Sequence, residues 1–296
     1  MPSPVQRLRH RRLVVVTGKG GVGKTAVAAA LATALVGVGR RVLLLEADPR
    51  ESAHQLLEVP PSAGELEHVG HGLYLQNLSP RRVMDDVVRE RLRLEVLVRR
   101  VLASPVYEHF AGGAPGLKEM ALLGHAWRVL HGRAAAGTPR VDTVVLDAPA
   151  TGHGVSLLRA PALVAEVIRS GPFARMARDL AELVGDGASC GVVVVTTPHE
   201  MPVQEACELL EVLPAYLGRP GDLVVANGAL APLAVDAPPA DPAVGLWQRL
   251  YAAQQLQLAR LRGAWGGPLV SLSLLALPPG RSLVEALRRR LEEAAA

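Results

Sequence analysis

Short aliphatic runs alternate along the chain with longer segments of helical character. Seven runs, each bounded by turn residues, predict β-strands at Leu13–Thr17, Val42–Glu46, Leu73–Asn77, Thr143–Asp147, Gly191–Thr197, Leu223–Asn227 and Leu269–Leu272. Several runs are apolar at every position, which is typical of strands buried on both faces of a parallel sheet. Because helical segments separate the strands, the pattern predicts an α/β fold with a doubly wound, mostly parallel sheet.

Two long segments, residues 80–136 and 155–186, have helical patterns and no predicted strand. We expect them to form a helical subdomain on one end of the sheet, within a single domain that covers residues 1–296. In the first segment, helical spacing over Met84–Leu102 places Val87, Leu94, Val98 and Val101 on one apolar side. Two interpretations of this layer stay open: it covers the core, or it offers a surface to a client or partner protein.

The pattern in Ser282–Glu293 predicts an amphipathic helix with Leu283, Leu287 and Leu291 on one face. Ser282 and Glu285 have the spacing of a capping box, in which the two side chains satisfy backbone N–H groups at the start of the helix. Because the segment lacks aromatic anchors, a packed helix is favoured over a helix on a membrane surface. The proline-rich stretch 230–242 predicts an irregular loop after the sixth strand.

Composition places the chain among ordinary globular proteins. Its 296 residues are 49% hydrophobic and 20% charged, and an aromatic content of 3% means that Ala, Val and Leu must build the core. The longest apolar stretch, Ala26–Gly39, is shorter than the roughly 18 residues that span a bilayer. The basic and then apolar start mimics a signal peptide, but Lys19 and a glycine-rich segment interrupt it. We therefore expect a cytoplasmic protein.

The charges and the cysteines exclude several classes of protein. The net charge is +4, and arginines spread along helical stretches such as Arg81–Arg100 favour solvated helix faces over a nucleic-acid surface. Cys190 and Cys207 are the two cysteines, and they form no CxxC unit. A secreted disulfide framework and a structural zinc site are therefore not expected, and both thiols are predicted to be ordinary buried residues.

The strongest chemical signal directly follows the first predicted strand. Residues 18–25, GKGGVGKT, satisfy the phosphate-loop pattern G-x-x-x-x-G-K-[ST] and precede an Ala-rich helical segment. The glycines let backbone N–H groups wrap around phosphate, where a Cβ would block the approach. Lys24 is predicted to neutralise phosphate oxygens, and the Thr25 hydroxyl to ligate Mg²⁺. The predicted nucleotide contacts are Gly18, Gly20, Gly21, Val22, Gly23, Lys24, Thr25 and Ala26.

Lys19 is a second lysine within this loop, and an ordinary phosphate loop does not need it. The GKGGVGKT form resembles the deviant Walker A motif of dimeric ATPases such as the ArsA, MinD, ParA and nitrogenase-iron-protein families. In those families the extra lysine reaches across a dimer interface to the nucleotide of the other subunit. The resemblance implies that Lys19 acts in trans, and that the chain forms a homodimer or pairs with a related subunit.

A segment after the fourth predicted strand resembles the ArsA family of arsenite-pump and tail-anchored-protein-targeting ATPases. Residues 147–154, DAPATGHG, are similar to the second switch segment of that family, D-T-A-P-T-G-H-T. An acidic residue at the carboxyl end of a buried strand can hold Mg²⁺ through water, which is the expected role of Asp147, and Gly152 can bend toward a γ-phosphate. His153 is expected to be an ordinary core or surface residue rather than part of the nucleotide site.

The segment after the second predicted strand, EADPRESAH at residues 46–54, is similar to the first switch segment of the same family, D-P-A-H-x-L. The resemblance implies that Asp48 orients the attacking water. The sequence departs from the family pattern after Pro49, so Glu46 or Glu51 could share the role of Asp48. Asn227 resembles the adenine-contacting Asn of the family, although Asn at the end of a strand is also a common turn residue.

Other features of these families are missing from the sequence. Two cysteines cannot supply the roughly three thiolates that arsenite needs, and neither cysteine lies between the two switch segments, where an iron–sulfur cluster would be held. The helical segments contain Met84, Met120 and Met176 and no further methionine, so capture of a transmembrane helix in a Met-rich groove is poorly supported.

Together these observations predict a Mg²⁺-dependent ATPase of the ArsA-like group, which hydrolyses ATP as a nucleotide-switched dimer and engages an unidentified protein client. Lys24, Lys19 of the other subunit and Mg²⁺ would stabilise the charge while water attacks the γ-phosphate. Membrane contact is expected only indirectly, and no metalloid site is expected. Two alternatives stay open: a ParA- or MinD-like partitioning or positioning ATPase, and a nucleotide-binding regulator with little turnover.

Overall fold

A computed structural model of the chain describes residues 2–47, 51–91, 94–105, 107, 116–134, 138–149, 154–233 and 241–294. Its strands are β1 (Leu13–Thr17), β2 (Val42–Glu46), β3 (Glu67–Gly70), β4 (Leu73–Asn77), β5 (Thr143–Asp147), β6 (Cys190–Thr196), β7 (Leu223–Ala229) and β8 (Leu269–Ser273). They form one eight-stranded sheet in the order β3-β4-β2-β5-β1-β6-β7-β8. All neighbouring strands are parallel except β3 and β4. The predicted doubly wound, mostly parallel α/β fold is therefore confirmed.

The strand β3 is the element that the hydrophobic pattern does not predict. It pairs antiparallel with β4 at the edge of the sheet, and none of its residues is buried. An edge strand has one partner and a solvated side, so it needs no continuous apolar run. Its sequence, EHVG, accordingly contains a single aliphatic residue.

The helices connect and cover the strands. They are α1 (Pro4–Leu8), α2 (Lys24–Gly37), α3 (Ala53–Leu57), α4 (Pro80–Arg91), α5 (Glu95–Leu102), α6 (Leu117–Leu130), α7 (Gly154–Val167), α8 (Gly171–Gly185), α9 (Glu200–Leu217), α10 (Pro242–Ala264) and α11 (Arg281–Glu293). Among the described residues, no helix combines the length and the hydrophobicity needed to cross a membrane.

The two faces of the sheet build two separate apolar cores. Alternate residues of β1 point to opposite sides, so Leu13 and Val15 join one core while Val14 and Val16 join the other. The first core is completed by α4, α6, α7, α8, α9 and α10, and the second by α1, α2, α3 and α11. The alanines of α2 are buried on almost every side, which lets this helix lie close to both the sheet and α11.

The segments 80–136 and 155–186 contain α4, α5 and α6, and α7 and α8, respectively. Of these helices, α4 packs on α5 and α6, and α7 packs on α6 and α8. The prediction that Leu94 shares the apolar side of Val98 is wrong. Leu94 is the N-cap residue of α5, where its extended backbone takes the side chain out of the helical register and leaves it 66% exposed, whereas Val98 is buried.

The last helix, α11, packs against α2 and buries Leu287 and Leu291 as expected, whereas Leu283 is only partly buried. The predicted capping box is wrong, because Gly280 is the N-cap residue and Ser282 already lies inside the helix. The acceptor comes instead from another part of the chain: Oε1 of Glu58 accepts a hydrogen bond of 3.0 Å from the backbone N–H of Arg281. A carboxylate at the start of the helix is also favoured by the helix dipole.

Candidate active site

The glycine-rich loop lies at the carboxyl end of the central strands. It connects β1, which lies between β5 and β6, to the N-terminus of α2. Gly18 has a φ of +139°, and a Cβ at this position would come within 2.0 Å of the backbone oxygen of Val195 in β6. Gly23 is the N-cap residue of α2 in a left-handed conformation, with a φ of +86°. These two positions therefore require glycine for the loop to fold over the strand ends.

The N-terminus of α2 faces into the loop without a side-chain cap, because Gly23 has none to offer. The first N–H groups of a helix have no partner within the helix, and the helix dipole favours negative charge at this end. Phosphate groups satisfy both requirements. The side chains of Val22 and Ala26 pack into the core beneath the loop, so these residues can offer a nucleotide only their backbone atoms.

Lys24 is the first residue of α2, and its side chain is only 7% exposed. Its Nζ donates a hydrogen bond of 3.0 Å to the backbone oxygen of Lys19. The ammonium group therefore lies over the phosphate loop and connects the start of α2 to the second residue of that loop. Burial next to N–H donors makes this cation a strong partner for an incoming phosphate.

Thr25 and Asp147 form the second polar contact of the loop. The hydroxyl Oγ1 of Thr25 donates a hydrogen bond of 2.6 Å to Oδ2 of Asp147, which ends β5 beside Val16. The carboxylate is only 3% exposed. A hydroxyl and a carboxylate next to a phosphate-binding loop are the oxygen donors that Mg²⁺ prefers, so the residues present fit a magnesium ion.

Lys19, the second lysine of the loop, has a partner in its own chain. Its Nζ forms an ion pair with Oε1 of Glu205 in α9. Both side chains are about one-third exposed, at 33% and 38%. Sequence reasoning did not identify Glu205, because its approach to the loop depends on how α9 packs against the sheet.

Glu46 ends β2 and is almost fully buried. Its Oε1 accepts hydrogen bonds from the backbone N–H and the hydroxyl of Ser52, at 2.8 and 2.7 Å. Its Oε2 accepts from the side-chain amide of Asn77 at 3.2 Å. Oε1 therefore anchors the segment that leads into α3, and Oε2 is engaged by the end of β4, which argues against Glu46 as the residue that orients water. Asp48 and Pro49, like Thr151, Gly152 and His153, lie outside the described residues.

A cavity of about 510 Å³ opens beside the loop. Asn227 lines this cavity and also contacts the loop, because its Nδ2 donates a hydrogen bond of 2.9 Å to the backbone oxygen of Val22. The lining includes Gly21, Gly23, Pro198, Asn227, Leu250, Gln254, Gln257 and Leu274. Of these, the glutamines of α10 belong to no recognisable motif, so the sequence does not mark them as part of a site.

Neither of the two cysteines lines this cavity. Cys190 in β6 is fully buried, and burial raises the pKa of its thiol to about 12. Cys207 in α9 is half-buried, and burial again raises the pKa of its thiol. Both are free thiols whose protonated form is favoured, which makes them poor nucleophiles and poor metal ligands.

A parallel sheet whose central strand leads into a glycine-rich loop, a buried lysine and a Thr–Asp pair defines the class of P-loop nucleotide-binding proteins. Within that class the chain belongs to the anion-transporting ATPase family, whose ArsA_ATPase model matches residues 11–185. The resemblance to ArsA-like ATPases is therefore confirmed.

Individual relatives agree with this family. The ATPase BagA of Mycobacterium tuberculosis (strain ATCC 25618 / H37Rv) is 29% identical over 226 residues, which cover 75% of this chain and 66% of that protein. An arsenical pump-driving ATPase of Escherichia coli is 27% identical over 296 residues, which cover 93% of this chain and 48% of the pump protein. The ATPase GET3C of Arabidopsis thaliana is 27% identical over 170 residues, or 52% of this chain and 42% of that protein. The aligned part thus spans from under half to about two thirds of the length of these relatives.

Proposed function

We propose that this chain hydrolyses ATP in a Mg²⁺-dependent reaction, acts as a nucleotide-switched dimer in the cytoplasm, and uses the switch to engage a protein client. The observation that carries the proposal is the arrangement at the end of β1. Lys24 lies over the phosphate loop, while Thr25 and Asp147 meet beside it at 2.6 Å. Family membership gives this arrangement its reaction, because the family consists of ATPases.

The loop and the residues around it have separate tasks in this mechanism. The backbone N–H groups of residues 18–25 and the ammonium of Lys24 bind the β- and γ-phosphates and hold them in line with the attacking water. Thr25 would hold Mg²⁺ directly and Asp147 would hold it through water. The ion neutralises charge on the phosphate oxygens when it is bound. Asp48 is the residue that we propose to orient the water and accept its proton.

The trans role of Lys19 requires that it leave Glu205. A partly exposed ion pair of this kind contributes little stability, about 0.2–1 kcal/mol, so it presents a small obstacle. A bound triphosphate carries more negative charge than a single carboxylate and competes well for the ammonium. In the dimer that we propose, Lys19 exchanges Glu205 for the phosphates bound by the other subunit and adds a second positive charge to the site.

The client surface that we propose lies on the helices of segment 80–136. In α5 only Val98 is buried, while Val96 and Leu97 of the same helix are 79% and 45% exposed. Neighbouring exposed aliphatic side chains make an apolar patch, and contiguous apolar patches mark surfaces that bind other proteins. Closure of the dimer around ATP, and reopening after hydrolysis, would move this layer and so couple the nucleotide to the client.

Phosphate release and oligomeric state together test the proposal. We expect the purified chain to release phosphate from ATP only when Mg²⁺ is present, and to elute as a dimer with ATP and as a monomer without it. A Lys24→Ala variant provides the matched control, because it removes the buried ammonium and leaves the rest of the loop in place. Release that is equally fast in the variant, or in a chelator, would contradict the assignment of the site.

A further inference from the structure

The cavity beside the phosphate loop has the position and size of a nucleoside site. Gly21 and Gly23 of the loop belong to its lining, and so do residues of α10. Its volume of about 510 Å³ lies in the range of small-molecule pockets. A nucleotide whose phosphates lie in the loop can therefore extend its base toward α10. This step rests on the function proposed above.

The wall formed by α10 is held in place by Gln254. This side chain is only 5% exposed, and its Oε1 accepts a hydrogen bond of 2.8 Å from the backbone N–H of Leu230. The bond ties α10 to the segment that follows β7, which is the strand that also carries Asn227. The bond therefore also fixes the position of the residues one turn further along α10 relative to the cavity.

Gln257 lies one turn from Gln254 and also lines the cavity. Its Oε1 is shielded from solvent, yet it has no hydrogen-bond partner among the residues that the structure describes. Burying a carbonyl oxygen without a donor is costly, so native proteins rarely keep such an oxygen without a reason. A donor on a bound ligand would satisfy it.

We propose that Gln257 accepts a hydrogen bond from the exocyclic amino group of adenine, and that it thereby selects adenine over 6-oxopurine nucleotides. Adenine carries an N–H₂ donor at its 6-position, whereas guanine and hypoxanthine carry an oxygen acceptor there. Two acceptors that face each other in a buried site repel, and a site built around one hydrogen bond rejects the analogue that cannot form it.

Binding of ADP and of inosine diphosphate, compared by calorimetry in the presence of Mg²⁺, tests this role. The two ligands have the same phosphates and differ at the 6-position of the purine. We expect the wild-type chain to bind ADP at least about tenfold more tightly. In Gln257→Met the ratio falls to within about twofold, because Met has a similar shape and no strong acceptor. In Gln257→Glu the preference for ADP persists, because a carboxylate accepts and cannot turn an N–H₂ group toward the base.

Two controls separate the base from the rest of the site. Gln255→Met changes the same helix at a residue that does not line the cavity, and it leaves the ratio unchanged. Binding of inorganic triphosphate, which has no base, is equal in all these proteins and reports an intact loop. Equal binding of ADP and inosine diphosphate by the wild type, or an unchanged ratio in Gln257→Met, overturns the role of Gln257 alone. Failure of triphosphate and both nucleotides to bind overturns the proposed function itself.

Discussion

Lys19 and Glu205 form an ion pair between the phosphate loop and α9 of the same chain. Because both side chains are partly exposed, water screens the attraction between them. The ion pair positions Lys19 but is weak enough to be broken. Lys19, the second lysine of the phosphate loop, is therefore held within its own chain in this structure. If it acts across a dimer, Glu205 competes with the second subunit for the same ammonium.

Replacing Glu205 by Gln removes this competition and keeps the shape of the side chain. We expect the Glu205→Gln dimer to form at about 2- to 30-fold lower protein concentration, because each dimer has to break two screened pairs that contribute about 0.2–1 kcal/mol each. The measurement is the rate of phosphate release as a function of protein concentration. Glu208→Gln is the control, because Glu208 lies on the same helix and accepts a hydrogen bond from Gln204. An identical concentration dependence for wild type and Glu205→Gln would refute the competition.

The close approach of Gly18 to β6 predicts that Gly18→Ala strongly lowers the free energy of unfolding. The added Cβ would come within 2.0 Å of a backbone oxygen of Val195, which no side-chain rotation can relieve. Gly21 has a similarly positive φ of +83°, but a Cβ there would meet open space. We expect Gly21→Ala to cost about 1–2 kcal/mol of unfolding free energy from backbone strain alone. Urea unfolding without nucleotide is expected to show a clearly larger loss for Gly18→Ala, and equal losses would show that the strand contact is unimportant.

The Thr25–Asp147 pair predicts a specific defect in the use of Mg²⁺. In Asp147→Asn the amide oxygen can still accept from Thr25, but the negative charge next to the ion is lost. We expect the Mg²⁺ concentration that gives half-maximal phosphate release to rise by about 10- to 100-fold. Binding of ATP in the absence of divalent ions is the comparison, and it is expected to change little. A magnesium requirement that stays at the wild-type value would exclude Asp147 from the site.

His125 in α6 predicts a pH dependence of stability that is independent of catalysis. Burial, with a smaller contribution from the charge of Arg128, lowers the pKa of His125 from 6.5 to about 4. Its Nε2 lies 3.0 Å from Oε1 of Gln76, which accepts a hydrogen bond from the neutral ring when Nε2 carries the proton. The unfolded chain takes up the proton near pH 6.5 and the folded chain only near pH 4, so stability falls as the pH drops between these values.

The expected loss across this window is at most about 3 kcal/mol. It is measured as the difference in unfolding free energy between wild type and His125→Gln, each followed from pH 7 to pH 4. Because carboxylates titrate equally in both proteins, the difference isolates the histidine. His68→Gln, at an exposed histidine, is the control. Parallel curves for wild type and His125→Gln would show that His125 does not carry this effect.

The parts of the fold that follow from local pattern were predictable from the sequence. The boundaries of β1, β2, β4 and β5 match the predicted runs at every residue. In β1, β2 and β5 every residue is buried and the sequence is mostly aliphatic, as expected for central parallel strands, whereas in β4 buried and partly buried residues alternate. The edge strand β3 escaped prediction because its solvated side removes the need for a continuous apolar run. The cap of α11 was misassigned because its acceptor, Glu58, is more than 200 residues away in the chain.

The residues of the candidate site likewise include some that a local sequence pattern marks and some that only the packing of the fold brings in. The residues of the loop were visible because the chemistry of phosphate binding imposes their spacing. Glu205, Gln254 and Gln257 reach the site only through the packing of α9 and α10, and no local pattern marks them. For Glu46 the sequence left a role in orienting water open, and its three hydrogen bonds to residues 52 and 53 explain its burial instead.

The central claim is that Lys19 of one subunit completes the site of another, and mixing two inactive variants tests it most directly. Lys19→Ala keeps its own site but offers no lysine, whereas Asp48→Asn offers the lysine but cannot activate water. Each variant alone is expected to release phosphate at least about 10³-fold more slowly than wild type. In the mixture, half of the dimers contain one complete site, so the rate is expected to recover to about a quarter of the wild-type value. A mixture that is no faster than the two variants measured separately would contradict the claim.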